Sequence, residues 1–74
     1  MDEQKKFSRM LRSKRFENKQ TQEMAAELLE ISVRHFQELE SGRSLPGFKT
    51  VCRLAKEYDI DFSIFAEESE EDII

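Results

Sequence analysis

Structure-breaking and cross-linking residues are scarce in this 74-residue chain, which has two glycines, one proline and one cysteine. So little turn chemistry leaves few places for a sheet to reverse, and the valines and isoleucines are scattered rather than alternating. Cys52 stands alone, which excludes an intrachain disulfide and a cysteine-rich zinc site. Within a helix it reads as a small buried apolar residue. No apolar run approaches the ~18 residues of a membrane span, and no signal-peptide pattern opens the chain, so a cytoplasmic location is expected. A glycine-rich phosphate loop and a usable Ser-His-Asp set are also missing, and His35 has no second metal ligand nearby. The expectation is one small all-helical domain with no metal, no cofactor and no catalysis.

Positive charge is also in deficit, with a formal net charge of −4, but the sum conceals a segregation. Lys5, Lys6, Arg9, Arg12, Lys14 and Arg15 form a basic run without an intervening acid. Glu57, Asp59, Asp61, Glu67, Glu68, Glu70, Glu71 and Asp72 are unopposed by any base at the other end. The acidity therefore belongs to the C-terminal end. Strong sequence-independent attraction to a polyanion is not expected, although a polyanionic partner is not excluded.

Helical spacing organises what remains. Residues 4–17 read as a first helix with Phe7, Met10 and Leu11 on its inner stripe. Arg15 continues that stripe, either laying its stem on the core or reaching inward as half of an ion pair. Asn18 to Gln20 is a short polar connection. Thr21 can cap a second helix running to Leu29, with Met24, Ala25, Leu28 and Leu29 on its apolar stripe. Glu30 and Ile31 make a turn. Ser32 can cap a third helix that ends at Ser41, and Gly42 supplies a left-handed stop. A loop containing Pro46 leads to a fourth helix, residues 48–58, with Phe48, Val51, Leu54, Ala55 and Tyr58 on one face. Asp61 reads as the cap of a short fifth helix carrying Phe62, Ile64 and Phe65. Residues 67–72 are too acidic to pack.

Two helices joined as closely as those of residues 21–42 form a helix-turn-helix, whose second helix can enter a DNA major groove. At about 100° per residue, Phe36, Leu39 and Glu40 share one side of the third helix. Val33, Arg34, Gln37, Glu38 and Ser41 then face outward, with His35 on the flank. Arg can hold guanine, Gln can hold adenine, Glu can accept from cytosine and Val can touch a thymine methyl. An ordinary solvated face would have the same composition. Glu40, a carboxylate among inward residues, either pairs with Arg15 or leans out to water. Gln22, in the first turn of the second helix, is placed to meet a phosphate together with free backbone N–H groups.

From Leu11 to Phe65 the chain resembles the lambda-repressor-like (Cro-like, xenobiotic-response-element) helix-turn-helix domains. The resemblance rests on LRSKR, TQEMAAELL, ISVRHFQELESG, a proline in the following loop, and TVCRLAKEYDID, in that order. It implies a compact bundle of five helices with helices two and three as the DNA-binding unit. It also implies backbone support from Gln22, reading-head roles for Ser32, Val33, Arg34, His35, Gln37 and Glu38, and a phosphate contact from Arg43. An arginine at the place of Arg15 pairs with the acid at the place of Glu40 in many members. Glu30, Lys19 and Asp59 depart from the pattern by standing where many relatives have glycine, and Gln20 stands where many have an apolar residue. Glu38 departs by placing an acid in the reading head.

The expected organisation is a helix-turn-helix domain over residues 1–66 and an acidic tail over 67–74. The expected DNA-contacting set is Thr21, Gln22, Ser32, Val33, Arg34, His35, Gln37, Glu38 and Arg43, with Arg15 and Glu40 as a structural ion pair. The leading expectation is a small sequence-specific regulator, a repressor, that binds double-stranded DNA at an inverted repeat as a homodimer through its last helix. The alternative keeps the fold and replaces DNA by a protein partner, as an acidic adaptor or anti-regulator.

Overall fold

Each helix begins and ends where its capping chemistry allows. A computed structural model describes residues 3–63, and its element order is α1 (Glu3–Glu17), α2 (Gln22–Leu29), α3 (Val33–Ser41) and α4 (Phe48–Tyr58). Thr21 Oγ1 accepts from Met24 N at 3.0 Å and Ser32 Oγ from His35 N at 3.0 Å, closing the N-termini of α2 and α3. Gly47 precedes α4 without a side-chain cap. The expected fifth helix and the acidic tail lie almost wholly outside the described residues. At the edge of that region, Asp61 Oδ1 accepts from Ser63 N at 3.0 Å. This bond holds the exposed Asp61 carboxyl below the usual carboxylate range.

Three C-termini close by one device. Gln20 N donates to Arg15 O, Ile31 N to Ala26 O, and Arg43 N to Glu38 O, all at 3.0–3.1 Å, each bridging a residue in the left-handed conformation. This is the Schellman closure. Only α3 uses glycine for the bridged position (Gly42, φ 84°); α1 and α2 use Lys19 (φ 55°) and Glu30 (φ 61°), and α4 ends at left-handed Asp59 (φ 55°). A left-handed L-residue costs about 1–2 kcal/mol, so three such positions weaken the fold without changing it.

α3 packs against α1 and α2, and α2 also packs against α4. Phe7, Leu11, Ala25, Ala26, Leu29, Phe36, Leu39, Leu54, Tyr58 and Ile60 form the core. Three apolar positions expected inside are exposed: Met24 (52%), Phe48 (83%) and Cys52. Phe48 opens α4 beyond the rim of the core. Met24 lies on the arc of α2 that neither α3 nor α4 covers. Cys52 follows the inward face by one residue and joins Lys49, Arg53 and Lys56 around an outer concavity of α4.

Candidate nucleic-acid interface

The site is built outward from Glu40, the buried charged residue of the core's edge at 3% exposure. Arg15 grips its carboxylate bidentately, Nε donating to Oε2 at 2.7 Å and Nη2 to Oε1 at 3.2 Å. Arg15 Nη1 donates to the backbone carbonyl of Gln20 at 3.0 Å, and the guanidinium stands 4.7 Å from the Phe16 ring centroid. A carboxylate taken out of water needs this full pairing, and the fork of an arginine supplies it. The pair ties the end of α1 to the end of α3, as expected from the inward position of Glu40.

From the same carboxylate a polar path runs to the surface. Gln22 Nε2 donates to Glu40 Oε1 at 2.8 Å, and Gln22 Oε1 accepts from Gln37 Nε2 at 3.1 Å. Arg15, Glu40, Gln22 and Gln37 are thus hydrogen-bonded in series from core to outer face. Each amide is oriented by its neighbour, so Gln37 is held by a hydrogen bond at the surface. Gln22, as the first residue of α2, spends its side chain on this path, while the Thr21 hydroxyl takes Met24 N. Only the backbone N–H groups of Gln22 and Glu23 at that helix start are thus left to face an anion.

On the outer face, Arg34 Nε and Glu38 Oε2 stand 3.9 Å apart, their side chains 91% and 42% exposed. Together with Gln22, Gln37, Ser41 and Arg43 they line a concavity of about 400 Å³. Six residues expected on this side therefore meet at one surface. Thr21 and Ser32 also belong to the helix N-termini there, with their hydroxyl oxygens engaged as caps. His35 is half-buried and uses its backbone N–H for the Ser32 cap.

Val33, expected to face outward, is half-buried and packs partly against the core. It lies one turn before Phe36, about 60° away around α3, at the border of the buried face.

The pairing of Tyr58 with Gln20 was not legible from sequence. Tyr58 Oη donates to Gln20 Oε1 at 2.5 Å across 38 positions. Gln20, an unexpected polar residue at its position, thereby holds Tyr58 by its side chain and Arg15 by its carbonyl. Burial raises the Tyr58 phenol above its ordinary value, with Glu40 and Glu57 pushing the same way and Arg15 opposing them.

A capped α2, a tight turn and an α3 with a polar outer face define a DNA-binding helix-turn-helix. A family model described as Helix-turn-helix matches residues 11–65, and the chain belongs to this family, the lambda-repressor-like (xenobiotic-response-element) type. Comparison with curated proteins and with solved structures returned no match. The family is one of DNA-binding transcriptional regulators rather than enzymes. Among the described residues no group of histidine, cysteine and carboxylate side chains could hold a metal, and no helix is long and apolar enough to cross a membrane.

Proposed function

We propose that this protein is a sequence-specific repressor that lays α3 in the major groove of an inverted-repeat operator. The observation that carries the reading is the hydrogen-bonded series from Arg15 to Gln37, which pre-orients a reading residue beside Arg34, Glu38 and Arg43. The pre-oriented Gln37 keeps a donor and an acceptor for adenine N7 and N6. Arg43 and the N-terminal turns of α2 and α3, with Thr21, Gln22 and Ser32, position the domain on phosphates.

Two copies related by a two-fold axis place their α3 helices one helical turn of DNA apart, giving half-sites spaced by about 10 bp. Support for pairing near the C-terminal end comes from an apolar concavity of about 220 Å³ lined by Phe7, Leu45, Pro46, Val51 and Phe62, with Glu3 at its rim. The test is Arg34→Ala with Gln37→Ala, assayed against DNA selected by the unmodified protein. The expected result is loss of selective binding; undiminished binding by the double variant rejects α3 as the reading element.

A second reading, an acidic module that docks on a protein, is favoured by the exposure of Glu23 and Glu27 on α2 and by the acid in the reading head. An NMR titration with random-sequence DNA at low salt separates the two. Shifts confined to α2 and α3 support the regulator. Shifts elsewhere, or none, support the protein-binding module.

A further inference from the structure

We infer that Arg34 and Glu38 act as one unit that selects a single C·G base pair, an inference that rests on the DNA-reading role proposed above. The two side chains lie four residues apart on α3, about 40° apart around its axis, with Nε and Oε2 at 3.9 Å. They line the concavity together with Arg43 and polar side chains, and no apolar side chain joins them there. Gln22 is bound to Glu40 and to Gln37, so the Gln22 amide is directed away from the couple.

The order of donors and acceptors on the two partners decides the choice. Across a C·G pair the major-groove edge presents the cytosine N4 donor, then the guanine O6 and N7 acceptors. The couple presents the complement: a carboxylate that only accepts, beside a guanidinium fork that only donates. Glu38 takes the N4 proton while Arg34 takes O6 and N7, and each charge stays beside its counter-charge throughout. An A·T pair fits worse, because the adenine N6 donor is flanked by its own N7 on one side and thymine O4 on the other. The fork then meets isolated acceptors instead of the adjacent two it matches.

The couple also rejects. On DNA lacking the pair, Glu38 faces lone pairs or phosphate oxygens, and Arg34 remains half-neutralised by it. Base selection is thus built from repulsion as well as attraction, and it suits a chain whose net charge is −4. Glu38 is in this account the determinant that converts a weak general DNA binder into a selective one.

The experiment is selection from a random duplex library by the full chain, with Glu38→Gln, Arg34→Ala and Gln37→Ala carried in parallel and folding checked by circular dichroism. The expected result is one position where the unmodified protein prefers C·G about tenfold or more. Glu38→Gln should shift that position toward A·T or erase it, Arg34→Ala should erase the same position, and Gln37→Ala should alter a different one. The inference is overturned if Arg34 and Glu38 variants change different positions, or if Glu38→Gln leaves the selected sequence intact. A Gln37-dependent sequence that ignores Glu38 overturns this inference alone, whereas a library that none of the proteins enriches overturns the DNA-reading role with it.

Discussion

Two arginine–glutamate pairs lie on opposite faces of α3, and their environments differ sharply. The inner pair, Arg15 and Glu40, is bidentate at 2.7 and 3.2 Å with side chains 13% and 4% exposed. The outer pair, Arg34 and Glu38, stands at 3.9 Å with side chains 91% and 42% exposed. Identical chemistry therefore has opposite consequences. Inside, neither charge can be rehydrated without opening the domain, so the pair fixes how α1 holds α3. Outside, water competes at every moment, so the pair adds little to folding.

The sharpest way to break this comparison is to remove one acid from each pair. Glu40→Ala leaves the Arg15 guanidinium largely buried without a counter-ion and strips Gln22 of its acceptor, at an expected cost of about 3–5 kcal/mol. For a domain this small that is most of the stability, so urea unfolding should show a chain largely unfolded at 25 °C. Glu38→Ala should move the same midpoint by less than about 0.5 kcal/mol. Equal losses from the two substitutions would show that burial does not distinguish the pairs.

Sequence periodicity made the inner pair legible because Glu40 falls between Phe36 and Leu39 on a face that must point inward. The caps at Thr21, Ser32 and Gly42 were legible for a similar reason: each is a local interaction spanning three or four residues. The Gln22–Gln37 and Gln20–Tyr58 bonds were not, since their partners are brought together only by packing between elements. Periodicity also fixes how residues are arranged around a helix without saying which arcs a neighbour covers. Met24 and Phe48 share stripes with buried residues yet stay exposed, because the neighbouring elements leave those positions uncovered. Val33, expected to face outward, is instead half-buried and packs partly against the core.

The next largest effect lies at the distal support of the inner pair. Tyr58→Phe removes the bond to Gln20 and should cost about 1 kcal/mol at neutral pH. The pH dependence follows from the direction of the phenol's shift. Below about pH 10 the phenol is neutral in folded and unfolded chains, and its contribution is intact. As pH rises past that value the unfolded chain ionises first while the folded phenol keeps its proton, so stability falls. Tyr58 is the single tyrosine, so phenolate absorbance reports it directly. The titration midpoint should lie above 10 in the folded protein, and the alkaline loss should be smaller in Tyr58→Phe. A midpoint at or below the ordinary value would contradict burial as the cause.

Left-handed helix ends give a comparison of intermediate size, because two of them differ in what their side chains do. Lys19→Gly relieves the backbone at φ 55° and should stabilise by about 0.5–1 kcal/mol, after allowing for the greater freedom of glycine in the unfolded chain. Glu30→Gly relieves the same strain at φ 61° but deletes the partner of Arg53, whose Nη2 lies 2.6 Å from Glu30 Oε1. Its gain should be smaller, and thermal unfolding of the two variants measures the difference. A larger gain at Glu30 would mean that its ion pair with Arg53 contributes nothing to the fold.

The smallest stability effect falls on the outer pair's cation and is the most telling for function. Arg34→Ala removes a side chain that is 91% exposed and leaves Glu38 free in water, so the unfolding midpoint should stay within about 0.5 kcal/mol of the parent. Salt should change that difference little, since the contribution of an exposed pair is itself small. DNA binding should respond in the opposite sense. With Arg34 gone, the unneutralised Glu38 faces the groove, so selected DNA should lose affinity by about tenfold or more while random DNA loses less. A substitution that is silent in unfolding yet decisive in selectivity is what a recognition pair requires. If Arg34→Ala instead destabilised the domain as much as Tyr58→Phe does, the outer pair would have to be counted as part of the scaffold.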